Sequence, residues 1–250
     1  MRALLPLVLL VLAGCDGAAA PAPPPPPSAC DSRSFEGIRF TVCSAKGGSV
    51  EVRTSAANGV PYRGFVELEQ ALGDKAGRVA FAMNAGMFDE EGRAIGLLVE
   101  DGKPLHAISR REGSGNFHLM PNGVFLVRRD GSAAVVTGAA YKPARDVLFA
   151  TQSGPMLLIG GKLHPKFDED GQSRTIRNGV GIAPDGTPLF VISEDLVSFG
   201  KMARFFRDAL KAENALYFDG SVSSLWDPAN GRRDAHVPLG PLVVVFKPAG

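Results

Sequence analysis

Apolar residues along this chain fall in short runs broken by glycine, proline and aspartate. Eleven runs read as strands: Ile38 to Cys43, Ser49 to Thr54, Arg78 to Met83, Ala94 to Glu100, Gly123 to Val127, Ala133 to Val136, Met156 to Ile159, Gly179 to Ala183, Leu189 to Ser193, Ala215 to Phe218 and Leu242 to Phe246. Asp101-Gly102, Asp130-Gly131 and Asp185-Gly186 separate some of them, and Asp-Gly supplies the positive φ that tight hairpins require. Helical spacing shows in two places. One is the short stretch Phe65 to Leu72. The other is Phe199 to Glu213, where Phe199, Met202, Phe206 and Leu210 share a face and Lys201, Arg204, Arg207 and Asp208 lie on others. Strands outnumber helices and meet mostly through hairpins. The pattern predicts an α+β fold: a single domain with a large mixed, mainly antiparallel β-sheet core and a few helices.

The N-terminus departs from this pattern. Arg2 precedes an apolar stretch over residues 3–13, too short to span a bilayer and suited to a signal peptide. It ends in Leu12-Ala13-Gly14-Cys15, which matches the bacterial lipobox: small residues give the signal peptidase access, and the cysteine thiol takes a diacylglycerol. An ordinary secretory signal with an incidental cysteine is the alternative. Each buried acyl methylene contributes ~0.8 kcal/mol, so such an anchor holds a protein at a membrane. Six of the 19 prolines then fall within residues 21–27 and favour extended polyproline II, the conformation of a spacer. The expected organisation is a lipoprotein signal peptide over 1–14, a lipidated Pro/Ala-rich tether over 15–29, and a folded domain over 30–250. The expected location is the bacterial cell envelope, lipid-anchored through Cys15 and facing the periplasm or another extracytoplasmic side.

Composition sharpens the partners. The 27 Lys and Arg nearly balance the 26 Asp and Glu, which leaves no basic field for nucleic acid, so none is expected as a partner. Of the three cysteines, Cys15 is assigned to lipid and Cys30 and Cys43 remain. An exported chain meets an oxidising compartment, so a Cys30–Cys43 disulfide is expected, with two free buried thiols as the alternative. The four histidines are scattered without metal-ligand spacing, and Asp168-Glu169-Asp170-Gly171 places its glycine too early for an EF-hand loop. No metal or cofactor is expected.

Three polar clusters lie where strands end or begin. Asn84 closes an apolar run and is followed by Ala85-Gly86-Met87-Phe88-Asp89; its amide either caps backbone or presents itself to a ligand hydroxyl. Arg177, in Ser173-Arg174-Thr175-Ile176-Arg177-Asn178-Gly179, can fork around a phosphate or carboxylate, with Arg174 its competitor and a solvated arginine the plainer reading. Asp219 ends the run Ala215 to Phe218 and precedes Gly220-Ser221-Val222-Ser223-Ser224. Glycine there permits close ligand approach, and the following hydroxyls and backbone N–H groups suit an anion nest. No GxSxG, GxxxxGK[ST] or strand-following GxGxxG is present.

In this order the clusters resemble the phosphodiester glycosidase family. Its Asn-Gly-x-Phe-Phe-like element is similar to Asn84–Phe88, its Arg-Thr-Ala-x-Gly element to Arg177–Gly181, and its Leu-Asp-Gly-Gly-Gly-Ser element to Phe218–Ser223. A Gly-Gly-Pro-like element stands at Gln152-Ser153-Gly154-Pro155. The likeness spans roughly residues 35–247. Ser221 and Val222 replace two of the family glycines, and Gly179 replaces an alanine. The resemblance implies hydrolysis of a sugar 1-phosphodiester at the anomeric C–O bond, with Arg177 holding the phosphate and Asp219 as catalytic carboxylate. Glu194 would be the second carboxylate, and Asn84, Gly154, Gly220, Ser221 and Ser223 would contact the substrate. The implied partner is a carbohydrate phosphodiester; the alternative is a non-catalytic envelope module that binds a glycan or phosphodiester polymer.

Overall fold

The structure is a computed structural model in which residues 27–248 are described. The expected signal peptide, the expected lipidation site Cys15 and most of the expected tether lie outside those residues. Within them the fold is α+β, and its sheet core takes the form of three antiparallel sheets.

The first sheet orders its strands Cys30–Phe35, Ile38–Ser44, Pro188–Ser193, Asn178–Ile182, Ala215–Tyr217, Met156–Ile159 and Lys162–Leu163. The second runs Arg232–Arg233, Leu225–Asp227, Val79–Asn84, Leu242–Phe246, Ser49–Arg53. The third runs Lys103–His106, Leu98–Glu100, Val147–Ser153, Gly123–Arg128, Ala133–Thr137. One core joins all three. The Phe190 ring of the first sheet meets Phe81 of the second and Phe125 of the third, each at 5.5 Å between centroids. Val79–Asn84 is buried at every position, which explains its unbroken apolar run: a strand covered on both faces does not alternate.

Helix Phe65–Leu72 forms where the spacing predicts it. The second helix is shorter than its spacing predicts. It runs Phe199–Arg204 and then widens into a π turn over Phe205–Ala209. The wider turn lets two successive rings, Phe205 and Phe206, both reach the core with no exposed surface. Cys30 and Cys43 sit opposite each other in the first hairpin and form a disulfide. Six strands lie outside the predicted runs: Lys103–His106, Lys162–Leu163, Leu225–Asp227 and Arg232–Arg233, which are short, and two longer ones. Cys30–Phe35 is a polar edge strand, and Val147–Ser153 mixes apolar with polar residues although all but one of its positions are buried.

Candidate functional site

The four motif segments meet where the three sheets converge. Asn84 ends the central strand of the second sheet, Ser153 ends the central strand of the third, and Asn178 begins a strand of the first beside Ala215–Tyr217. Hydrogen bonds stitch these ends together. Asn178 Nδ2 donates to Asn84 O at 3.0 Å and Oδ1 at 2.9 Å. Asn84 Nδ2 donates to Asp219 O at 2.8 Å, and Asn84 Oδ1 accepts from Ser224 N at 2.8 Å. Asp219 N donates to Ala85 O, Phe218 N to Asn178 O, and Tyr217 N to Pro155 O. Gly86 N donates to Thr151 Oγ1 at 3.2 Å.

Asn84 is therefore buried with its whole amide engaged by protein: it holds loops and does not face outward. Two glycines serve the same closeness. A Cβ on Gly86 would strike the Gln152 carbonyl and Thr151 hydroxyl, and one on Gly154 would crowd Asn122 and the carbonyls of Phe117 and Asn116. Gly220 gives room to Tyr217, whose hydroxyl accepts from Gly220 N at 2.8 Å. The N–H groups of the 219–223 turn are likewise occupied: Ser221 N donates to Asp219 Oδ1 at 3.1 Å, Val222 N to Asp219 O, and Ser223 N to Gly220 O. The turn thus offers its carboxylate and hydroxyls, and its N–H groups are not free for an anion. Ser221 is exposed. Ser223 Oγ is half-buried, within 3.3 Å of Ile176 O, Asn178 Oδ1 and Gly220 O.

Asp219 is half-buried at the lip of this junction. Burial pushes its carboxyl above the ordinary carboxylate range, and the Ser221 N–H only partly offsets that. Arg177 is turned inward, 1% exposed. Its guanidinium lies 3.6 Å from the Phe199 ring centroid and 5.4 Å from that of Tyr217. Nε donates to Val197 O at 2.9 Å and Nη2 to Ser173 O at 3.0 Å. Burial lowers the Arg177 pKa from the usual arginine value. Burial raises the neighbouring Tyr217 phenol, against the opposing charge of Arg177. Among the described residues no carboxylate pairs with Arg177, whereas its competitor Arg174 is exposed and pairs with Asp170 at 2.9 Å.

Glu194 follows the strand that pairs with Asn178–Ile182. Its Oε1 accepts from the Thr41 hydroxyl at 2.6 Å and from Arg232 Nη1 at 2.5 Å, and Arg232 also bonds Asp234 at 2.9 Å. Asn178, Tyr217, Thr151 and Ser153 belong to the junction and were not singled out from sequence. Ser153 Oγ is buried without a hydrogen-bond partner. Its i−2 spacing from Thr151, which bonds Gly86, was the available signal, because residues two apart share a strand face.

A family model described as phosphodiester glycosidase matches residues 77–240. The uncharacterized protein YigE of Escherichia coli K12 is 37% identical over 150 residues, which is 60% of this chain and 59% of that protein. The match thus spans less than two thirds of that curated relative. Among solved structures, the catalytic domain of zebrafish N-acetylglucosamine-1-phosphodiester alpha-N-acetylglucosaminidase, auto-inhibited by its pro-peptide, is similar with a TM-score of 0.59. The identity is 15%, over 87% of this chain and 81% of that one. A protein from Burkholderia pseudomallei K96243 gives a TM-score of 0.54 at 12% identity, over 84% of this chain and 73% of that one. At such identities the likeness is one of fold.

Proposed function

This chain belongs to the phosphodiester glycosidase family, and on that premise we propose that it hydrolyses a sugar 1-phosphodiester, of the N-acetylglucosamine-1-phosphodiester kind, at the anomeric C–O bond. The observation that carries the reading is Asp219. It is the half-buried carboxyl with a raised pKa at the lip of the junction where all four motif segments meet.

Water adds to the anomeric carbon, the bond from that carbon to the phosphate oxygen breaks with its electron pair leaving on a phosphate monoester, and the water's second proton passes to that phosphate or to solvent. That leaving group is already an anion, so little general-acid help is needed. The larger demand is to stabilise an oxocarbenium-like carbon and the departing charge. Asp219, once ionised, supplies negative charge at that carbon. Arg177 acts from within: a buried guanidinium without a carboxylate partner raises the positive potential behind the turn, in low dielectric where it is screened least. Asn84 and Gly154 hold the loops, Gly220 seats the Tyr217 hydroxyl, and Ser221 and Ser223 present hydroxyls to sugar or phosphate. Glu194, fixed by Arg232 and Thr41, is the second carboxylate and orients a sugar hydroxyl or the water. The lipobox sequence supports anchoring through Cys15 in the cell envelope.

Hydrolysis of an N-acetylglucosamine-1-phosphodiester in ¹⁸O-water tests the reading. The label is expected in the sugar hydroxyl, and Asp219→Asn is expected to lower the rate by about 10²–10⁴-fold. Label in the phosphate means P–O cleavage. Binding without release of sugar means a binding module.

A further inference from the structure

We propose that Tyr217 is a positioning residue of this site: its buried hydroxyl clamps the peptide between Asp219 and Gly220 and so fixes where the Asp219 carboxyl points. The clamp stands on geometry; its effect on turnover rests on the hydrolase reading above.

The peptide that joins Asp219 to Gly220 is planar, so its carbonyl and its N–H turn together. Both edges are held. Asp219 O accepts from Asn84 Nδ2 at 2.8 Å, and Gly220 N donates to the Tyr217 hydroxyl oxygen at 2.8 Å. Rotation about the Asp219 Cα–C bond, at ψ 97°, would break both bonds. On the other side of that residue, Asp219 N donates to Ala85 O at 3.3 Å. Asp219 is thus pinned before and after its Cα, which sets the direction of its Cβ. The carboxyl then accepts from Ser221 N at 3.1 Å. Without the phenol the peptide keeps its carbonyl bond alone, and a plane held at one edge is free to rock.

Gly220 and the phenol fit each other. Gly220 does not take a positive φ, so the backbone does not call for glycine there. A Cβ on it would run into the Tyr217 hydroxyl and lie 2.8 Å from ring carbon Cζ, so the glycine serves the approach of the ring. The ring in turn is a fixed post. Tyr217 pairs through its backbone with Gly179, meets the Phe199 ring edge-on at 4.8 Å and 81°, and has the Arg177 guanidinium 5.4 Å from its centroid. It is buried, and a hydroxyl in such a place is costly unless hydrogen-bonded. Phenylalanine would fill the same space without that cost, so the hydroxyl is there for the Gly220 amide. The charged groups acting on the phenol are Arg177, from the residue that precedes the neighbouring strand, and Asp219, two residues on. Helix Phe199–Arg204 turns the uncharged Phe199 toward it, and the Gln152–Pro155 segment gives its backbone N–H the Pro155 carbonyl.

Tyr217→Phe in the full chain keeps the ring and removes the hydroxyl. With an N-acetylglucosamine-1-phosphodiester as substrate, kcat is expected to fall about tenfold and KM to stay within about twofold, because the clamp places a catalytic group and does not bind substrate. The Asp219 carboxyl, followed by ¹³C NMR, is expected to titrate at lower pH than in wild type. A loosened turn admits water to it and relieves the burial that raises it. A merely structural hydroxyl would lower Tm and leave that titration where it is. In the double variant with Asp219→Asn, the residual kcat is expected to equal that of Asp219→Asn alone, because a residue acting through the carboxyl has nothing left to place. Should Tyr217→Phe fail to fold, Gly220→Ala reads the same outcomes, since its methyl group pushes the amide off the phenol. An unmoved titration, or a further tenfold loss in the double variant, overturns the inference. A wild-type chain that hydrolyses no phosphodiester overturns the hydrolase reading, and the titration then decides the clamp by itself. Hydrolysis with kcat and titration unchanged in Tyr217→Phe keeps the hydrolase reading and removes the clamp.

Discussion

At Asp219, burial ties activity and stability to pH in opposite senses. Its carboxyl titrates above the ordinary ~3.9, so the fold binds this proton more tightly than the unfolded chain does. The stability it contributes is complete below the unfolded value and is lost as pH rises through the folded one. Hydrolysis needs the carboxylate and rises over the same interval. Asp219→Asn is therefore expected to be inactive at neutral pH, yet as stable as wild type or more so, with the advantage shrinking toward pH ~3–4. Calorimetry at several pH values checks this, and a clearly less stable variant at pH 7 would refute it. Arg177→Lys probes the opposite case. Lysine cannot reproduce the paired donations to Val197 O and Ser173 O or the stack on Phe199, and the expected loss is about 2–4 kcal/mol, seen as a fall in Tm. Residue types told much here and exposure told little. Asp219, Arg177 and Asn84 stood out in sequence, but Arg177 is buried by Phe199 and Val197, some twenty positions further on, which no local pattern displays.

Between elements, the Asn84–Asn178 pair is the bolt that joins the second sheet to the first. Asn178 is fully buried, and replacing it with alanine leaves Asn84 O and Ser223 Oγ each short of a partner. Asn178→Ala is expected to cost about 2–3 kcal/mol. A double-mutant cycle with Asn84→Ala is expected to show coupling above ~0.5 kcal/mol; additive losses would mean the two amides act independently. Gly86→Ala forces a methyl group against the Gln152 carbonyl and is expected to destabilise by about 1–3 kcal/mol. The central strands were legible because burial on both faces leaves an unbroken apolar run, as over Val79–Asn84. Val147–Ser153 was not, because its last three residues, Thr151, Gln152 and Ser153, are polar yet buried by side-chain or close-packing roles in the junction. Cys30–Phe35 was missed for the complementary reason: an edge strand facing solvent carries little apolar signal.

Across the whole molecule, three sheets share one core through Phe81, Phe125 and Phe190, and the site forms where their strand ends meet. Such a convergence is set by pairings distant in sequence, so the α+β class could be read from local patterns and the division into three sheets could not. The Cys30–Cys43 bond was legible from compartment logic, and it closes the first hairpin at the edge of the seven-stranded sheet. Its loop spans 13 positions, so in the chain-entropy account reduction is expected to cost about 3 kcal/mol and to lower Tm by roughly 6–12 °C. The same hairpin carries Thr41, which holds Glu194. Thr41 is also fixed by the pairing of Ile38–Ser44 with Pro188–Ser193, a ladder that does not depend on the disulfide. Reduction is therefore expected to weaken the fold while kcat/KM at 25 °C stays within about twofold, less than the ~0.5 kcal/mol that would signal coupling between distant sites. Unfolding and activity measured side by side, with and without reductant, decide this. A parallel fall in kcat/KM well below the unfolding transition would mean that the edge hairpin, through Thr41, sets the position of Glu194.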